Sequence, residues 1–178
     1  PYTTLFRSIL QAGLGMAMSG VSFWGYDLGG FYNTGYIGNE ERPNIEDYLS
    51  SVQMGLWMPL SRAHGKTPRE PWQYGDMALK EVKKWINFRH RLVPYLYHTA
   101  CQSHQSGIPM IRPLVMEYPK DPIAKIQNLS YMLGDALLIS PGFDRDEYEL
   151  YLPEGRWQDI ESKEVYEGRS EEHTSELQ

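Results

Sequence analysis

Four side chains in this sequence suit a ligand rich in hydroxyl groups. Asp27 is a carboxylate, able to accept hydrogen bonds from hydroxyls. Phe31, four positions on, is a flat ring of the kind that covers the apolar C–H face of a pyranose. Arg62 and His64 stand two apart in Ser61-Arg-Ala-His-Gly65, and both donate to hydroxyls. Three of them also have a plainer reading: Asp27 as an acid that caps a turn, Arg62 as half of a structural ion pair, His64 as a loop cap.

The elements that must position these groups read as alternating strands and helices. Val21 to Trp24 carries no charge and reads as a strand buried on both faces. It leads to Asp27 and then to Gly29-Gly30, where the backbone is free to turn. A buried strand ending in an acid, a glycine turn and an aromatic suits the C-terminal mouth of an α/β barrel. Before it, Ile9 to Ser19 reads as the tail of a helix broken at Gly20. After it, residues 32–42 read as a loop. Asn44 then caps a second helix, with Glu46 and Asp47 in the first turn and Ile45, Tyr48, Leu49, Val52 and Leu56 on one face. Trp57 to Leu60 is a second candidate strand, ending in the polar Ser61–Gly65 loop. The pattern is βαβα.

A loop with Pro68 and Pro71 precedes the longest helix, expected over residues 76–103, with Ala78, Val82, Trp85, Ile86, Leu92, Leu96 and Ala100 on its apolar face. Pro94 inside it removes a backbone donor and predicts a bend. In Arg69-Glu-Pro-Trp72 the charges suit an ion pair, and Trp72 reads as a packing ring or part of a rim. From Ile108 the texture changes. Residues 108–118 are extended in pattern, with Pro109 and Pro113 confining them to an edge or bulge. Tyr131–Leu133 and Ala136–Ser140 flank a turn at Gly134-Asp135, and Glu149–Leu152 alternates like a strand. No helix long enough for a crossover separates these runs, so they read as the start of an antiparallel β domain, with the boundary at residues 103–107.

Several classes are set aside by composition. A net charge of −6 without a Lys/Arg cluster argues against nucleic acid. No run reaches the length of a membrane span. The single Cys101 permits no internal disulfide and fits a reducing compartment, which favours the cytoplasm but leaves the location unknown from sequence. His90, His98 and His104 lack the i, i+4 spacing of helical metal ligands, so no metal is expected. No phosphate-binding loop and no nucleophile elbow occurs, and no cofactor is expected. Asn128-Leu-Ser130 is a glycosylation sequon, meaningful only in a secreted protein. Residues 1–8 and 169–178 resemble translated sequencing adapters and are expected to be foreign to the fold.

Several motifs, taken together, resemble glycoside hydrolase family 31, the family of α-glucosidases and α-xylosidases. They are Phe23-Trp-Gly-Tyr-Asp-Leu-Gly-Gly-Phe31, Ser61-Arg-Ala-His-Gly65, Pro68-Arg-Glu-Pro-Trp72 and Arg91-Leu-Val-Pro-Tyr-Leu-Tyr97, followed by Gly107–Pro113, Tyr131–Asp135 and Tyr151–Trp157. The resemblance implies a (β/α)8 TIM barrel, present here over residues 9–106 as its last two βα units. Residues 107–168 would be the start of the antiparallel β-sandwich that follows. It also implies a retaining mechanism with two carboxylates. Both lie upstream of the Asp27 strand in the family, so no catalytic residue is expected in this chain. On the same mapping Asp27 is a binding-site acid, Phe31 lines the first sugar subsite, and His64 hydrogen-bonds sugar hydroxyls, with Arg62 beside it. The implied partner is a carbohydrate, an α-glucoside or α-xyloside. The alternative is a carbohydrate-binding barrel without catalysis.

Overall fold

The computed structural model describes residues 2–31, 43–141, 147–168 and 174–176. The loop expected at residues 32–42 lies outside them. Helix α1 (Tyr2–Met18) includes the head of the chain and buries Phe6, Leu10 and Leu14. Strand β1 is Gly25–Asp27, later and shorter than the run expected from Val21. Val21 and Phe23 are exposed. The backbone before β1 meets its neighbours only sparsely. The Ser22 carbonyl accepts from the Met110 N–H (3.2 Å) and the Trp24 carbonyl from the Leu60 N–H (3.4 Å), too few bonds to make a ladder.

Helix α2 (Ile45–Gly55) starts as its sequence predicts. The Asn44 side chain accepts from the Asp47 N–H at 2.9 Å, with Glu46 and Asp47 in the positive first turn. The chain then returns as strand β2 (Leu60–Arg62), parallel to β1, pairing Gly25 with Leu60, Tyr26 with Ser61 and Asp27 with Arg62. Of the expected run Trp57–Leu60, only Leu60 is in the strand. The Trp57 and Met58 N–H groups bond back to the Met54 and Gly55 carbonyls, prolonging the helix end. Arg89 fixes that turn by donating to the Leu56 and Pro59 carbonyls. Guanidinium donors suit the orphan carbonyls of a helix C-terminus.

Helix α3 (Gly75–Ser106) runs 32 residues through Pro94 and ends at Gly107, whose φ of +75° suits glycine and whose N–H donates to the Ser103 carbonyl. Its buried residues are Ala78, Val82, Leu96, Thr99 and Ser103, with Trp85, Ile86 and Leu92 half-buried. Beyond it, β3 (Ile111–Pro113), β4 (Tyr131–Leu133) and β5 (Leu137–Ile139) form an antiparallel sheet in that order. The expected extended run at 108–118 reaches only to Pro113, because residues 114–117 turn into a short helix, α4. Strand β6 (Glu147–Glu149) stops where the alternating run was expected to begin. Tyr151 is instead drawn aside by donating its hydroxyl to Asp121. β6 pairs with β9 (Thr174–Glu176), and β7 (Arg156–Gln158) with β8 (Val165–Glu167).

One core joins the two parts. Leu10 and Leu14 of α1, Tyr26, Val52, Met58 and Val82 share it with Ile111, Tyr131, Leu133 and Ile139. The Tyr95 hydroxyl donates to the Leu133 carbonyl (2.7 Å) and accepts from the Ala136 N–H (3.0 Å), tying α3 to the β4–β5 turn. Gly134 in that turn has φ +60°, and a Cβ there would collide with the Tyr95 hydroxyl. Among the described residues no helix is long and apolar enough to cross a membrane.

Candidate functional site

Parallel, in-register pairing dictates the first contact of the site. Asp27 and Arg62 are the last residues of β1 and β2 and are paired neighbours. Their side chains therefore leave the same face of the sheet about 5 Å apart, and Arg62 Nε donates to Asp27 Oδ1 at 2.6 Å. The Arg62 side chain is 57% exposed and that of Asp27 20%. In such solvent an ion pair adds about 1 kcal/mol or less to stability. What the pair supplies is orientation: it fixes one carboxylate oxygen and leaves the carboxylate otherwise able to accept.

The second contact lies just past the strand ends. The Phe31 and His64 rings are 5.2 Å apart at a tilt of 43°. The turn that carries Phe31 is tied to the second βα unit at every step. The Leu28 N–H donates to the Arg62 carbonyl at 2.8 Å, and the Gly29 N–H to Ser51 Oγ at 2.8 Å. The Gly30 carbonyl accepts from Arg69, and the Phe31 carbonyl accepts from the Lys66 N–H at 3.0 Å. Gly29 and Gly30 have φ of +83° and +76°, conformations that side chains rarely adopt. All four residues singled out from the sequence thus come together at the C-terminal ends of β1 and β2.

Beneath them lies a polar floor that sequence reading missed. Ser51 is buried in α2 and accepts from Gly29 while sharing a hydrogen bond with the Tyr26 hydroxyl at 2.9 Å. Burial pushes the Tyr26 hydroxyl up to about 12, so it stays neutral and able to donate. Tyr48 stacks on Tyr74, centroids 3.7 Å apart, and donates to the Arg69 carbonyl at 2.9 Å. Burial raises the Tyr48 hydroxyl too, with Tyr74 and Glu70 adding to it. A signal for Ser51 existed. Tyr48, Ser51, Val52 and Gly55 recur at helical spacing, which puts a hydroxyl and a glycine on an otherwise apolar face. Trp72, read as packing or rim, is 62% exposed. Arg69, read as one partner of an ion pair, binds backbone carbonyls instead.

The model described as the glycosyl hydrolases family 31 TIM-barrel domain matches residues 3–99, and that of the family 31 C-terminal domain matches residues 107–178. The chain belongs to glycosyl hydrolase family 31. Among its curated family 31 relatives are the α-xylosidase XylQ of Lactiplantibacillus pentosus (33% identical over 89% of this chain and 20% of that protein) and an α-xylosidase of Saccharolobus solfataricus (34%, over 91% and 22%). The neutral α-glucosidase AB of Mus musculus is 35% identical over 87% of this chain and 16% of that one. Among solved structures, the cycloalternan-forming enzyme of Listeria monocytogenes, in complex with a pentasaccharide substrate, superposes with a TM-score of 0.85. It is 33% identical and covers 97% of this chain, which covers 17% of it. This family 31 chain spans 11–22% of the length of the curated relatives it matches.

Proposed function

We propose that this family 31 chain is a piece of a retaining α-glycosidase acting on terminal α-linked glucose or xylose, and that it supplies the residues that hold the glycone. The observation that carries this is that the Asp27–Arg62 pair and the Phe31–His64 ring pair both lie at the C-terminal ends of two parallel strands. Asp27 accepts from sugar hydroxyls, Arg62 and His64 donate to them, and Phe31 covers the C–H face. Such contacts strengthen as the ring flattens toward an oxocarbenium ion, so they act on rate as well as on binding. The nucleophile and the acid/base are contributed by residues outside this chain. The last two βα units of the barrel occupy residues 9–106 and the opening strands of the β-sandwich residues 107–168. Residues 1–8 and 169–178 are read as foreign to the parent gene even though residues 2–8 lie in α1 and 174–176 in β9, and independent sequencing of the source DNA tests this.

The deciding experiment is His64→Ala in the full-length protein, assayed on p-nitrophenyl α-glucoside and α-xyloside. kcat/KM should fall by about one to three powers of ten, the scale of one or two lost sugar hydrogen bonds. Unchanged kinetics would remove His64 from the site.

A second reading concerns the acceptor. Relatives of 32% and 34% identity, both from Sporosarcina globispora, bear the names isomaltosyltransferase and 1,6-α-glucosyltransferase. They support a variant in which a sugar hydroxyl replaces water in resolving the glycosyl-enzyme. Chromatography of the products from isomaltose separates the two: longer saccharides mean transfer, glucose alone means hydrolysis.

A further inference from the structure

Arg69 is 2% exposed and, among the described residues, has no carboxylate partner. Its guanidinium spreads over backbone instead. Nε donates to the Gly30 carbonyl at 3.0 Å, and Nη1 to the Thr67 carbonyl (3.3 Å), the Pro68 carbonyl (3.2 Å) and the Thr67 hydroxyl. Gly30 belongs to the turn that carries Phe31. Thr67 and Pro68 belong to the loop that begins at His64. The side chain threads between glycines of both. A Cβ on Gly29 would lie 2.8 Å from Arg69 Cδ, and one on Gly65 would lie 3.1 Å from Arg69 Nε and 3.1 Å from the Gly30 carbonyl.

Burying a guanidinium without a counter-charge is costly, and its Nη2 is also buried with no partner among the described residues. A side chain chosen only for stability would not be charged here. What a planar fork provides, and a hydrocarbon does not, is several donors held rigidly to each other. Resting on the glycosidase reading above, we propose that Arg69 is a positioning residue: it clamps the turn at 28–31 to the loop at 64–68 and so sets the spacing of the Phe31 and His64 rings. It acts on the glycone only through those two rings.

The test is a double-mutant cycle in the full-length protein. Arg69→Lys keeps the charge and loses the fork. On p-nitrophenyl α-glucoside it should lower kcat/KM about ten- to a hundredfold in the wild-type background. In the Phe31→Ala background, where one clamped ring is already gone, the loss should shrink to about threefold or less. An equal loss in both backgrounds, or none in either, overturns the proposal. Hydrogen exchange gives a readout that needs no activity. The Gly29, Gly30 and Lys66 amides should exchange about tenfold faster in Arg69→Lys, with α4 unchanged; unaltered exchange at those amides overturns the clamp. A wild-type protein inactive on every α-glycoside would defeat the glycosidase reading instead, leaving the exchange result to judge Arg69. Should Arg69→Lys not fold, Thr67→Val removes one anchor of the fork at nearly constant shape. In that variant the same shrinking loss and the same faster exchange support the clamp, and their absence overturns it.

Discussion

A single methyl group at position 29 measures how tightly the Phe31 turn is held. Gly29 has φ +83°, and an added Cβ would press on Arg69 Cδ at 2.8 Å and on Tyr48 Cδ2 at 3.2 Å. Gly29→Ala therefore combines left-handed strain with overpacking and should lower stability by about 2 to 4 kcal/mol, read from the urea midpoint. Gly15, in α1, is the contrast: nothing lies within 4 Å of its Cβ position. There the same substitution should raise stability by about 0.5 to 1 kcal/mol. At this scale the sequence is informative where residue type alone carries meaning. Asp27, Phe31, Arg62 and His64 are polar or aromatic groups at or just past two strand ends, and they pair there as Asp27–Arg62 and Phe31–His64. Ser51 and Arg69 are harder to read because their roles depend on what lies across the fold. A serine in a helix and an arginine in a loop are unremarkable until Gly29 and Gly30 are seen above them.

Helix and strand limits show which forces decide an element's ends. Asn44 is an N-cap by both sequence and geometry, and Asn44→Ala should cost about 1 kcal/mol. The loss should be accompanied by faster hydrogen exchange in the first turn of α2, and unchanged exchange there would show that packing alone holds that end. Helices α2 and α3 are legible because caps and a 3.6-residue period are local signals. The strands are less so. Val21–Trp24 has strand-like side chains, yet its backbone finds too few ladder partners. Trp57–Pro59 is apolar enough for a strand, but its amides turn back onto α2 and Arg89 seals the turn. Strand limits are set by neighbours distant in sequence, and no local pattern contains them.

At the scale of the molecule, β1 and β2 form a two-stranded sheet with Val21, Phe23 and Leu60 exposed beside it. Two strands alone are marginal in water, and open edges template association. The 178-residue chain by itself should therefore self-associate at micromolar concentration in light scattering. It should also fail to hydrolyse p-nitrophenyl α-glucoside or α-xyloside. Turnover by the purified chain would show that its catalytic carboxylates lie within it.

Helix α3 starts just after the rim and ends at Gly107, about 48 Å away for 32 residues of ideal helix. The Tyr95 hydroxyl, on its far half, bridges the β4–β5 turn from the Leu133 carbonyl to the Ala136 N–H. That makes Gly107 a natural splice point for swapping C-terminal modules between homologues, far from the residues proposed to hold the glycone. The graft carries one compatibility requirement: a donor module must bring a glycine at position 134, because any larger residue there would strike the tyrosine that joins the two halves.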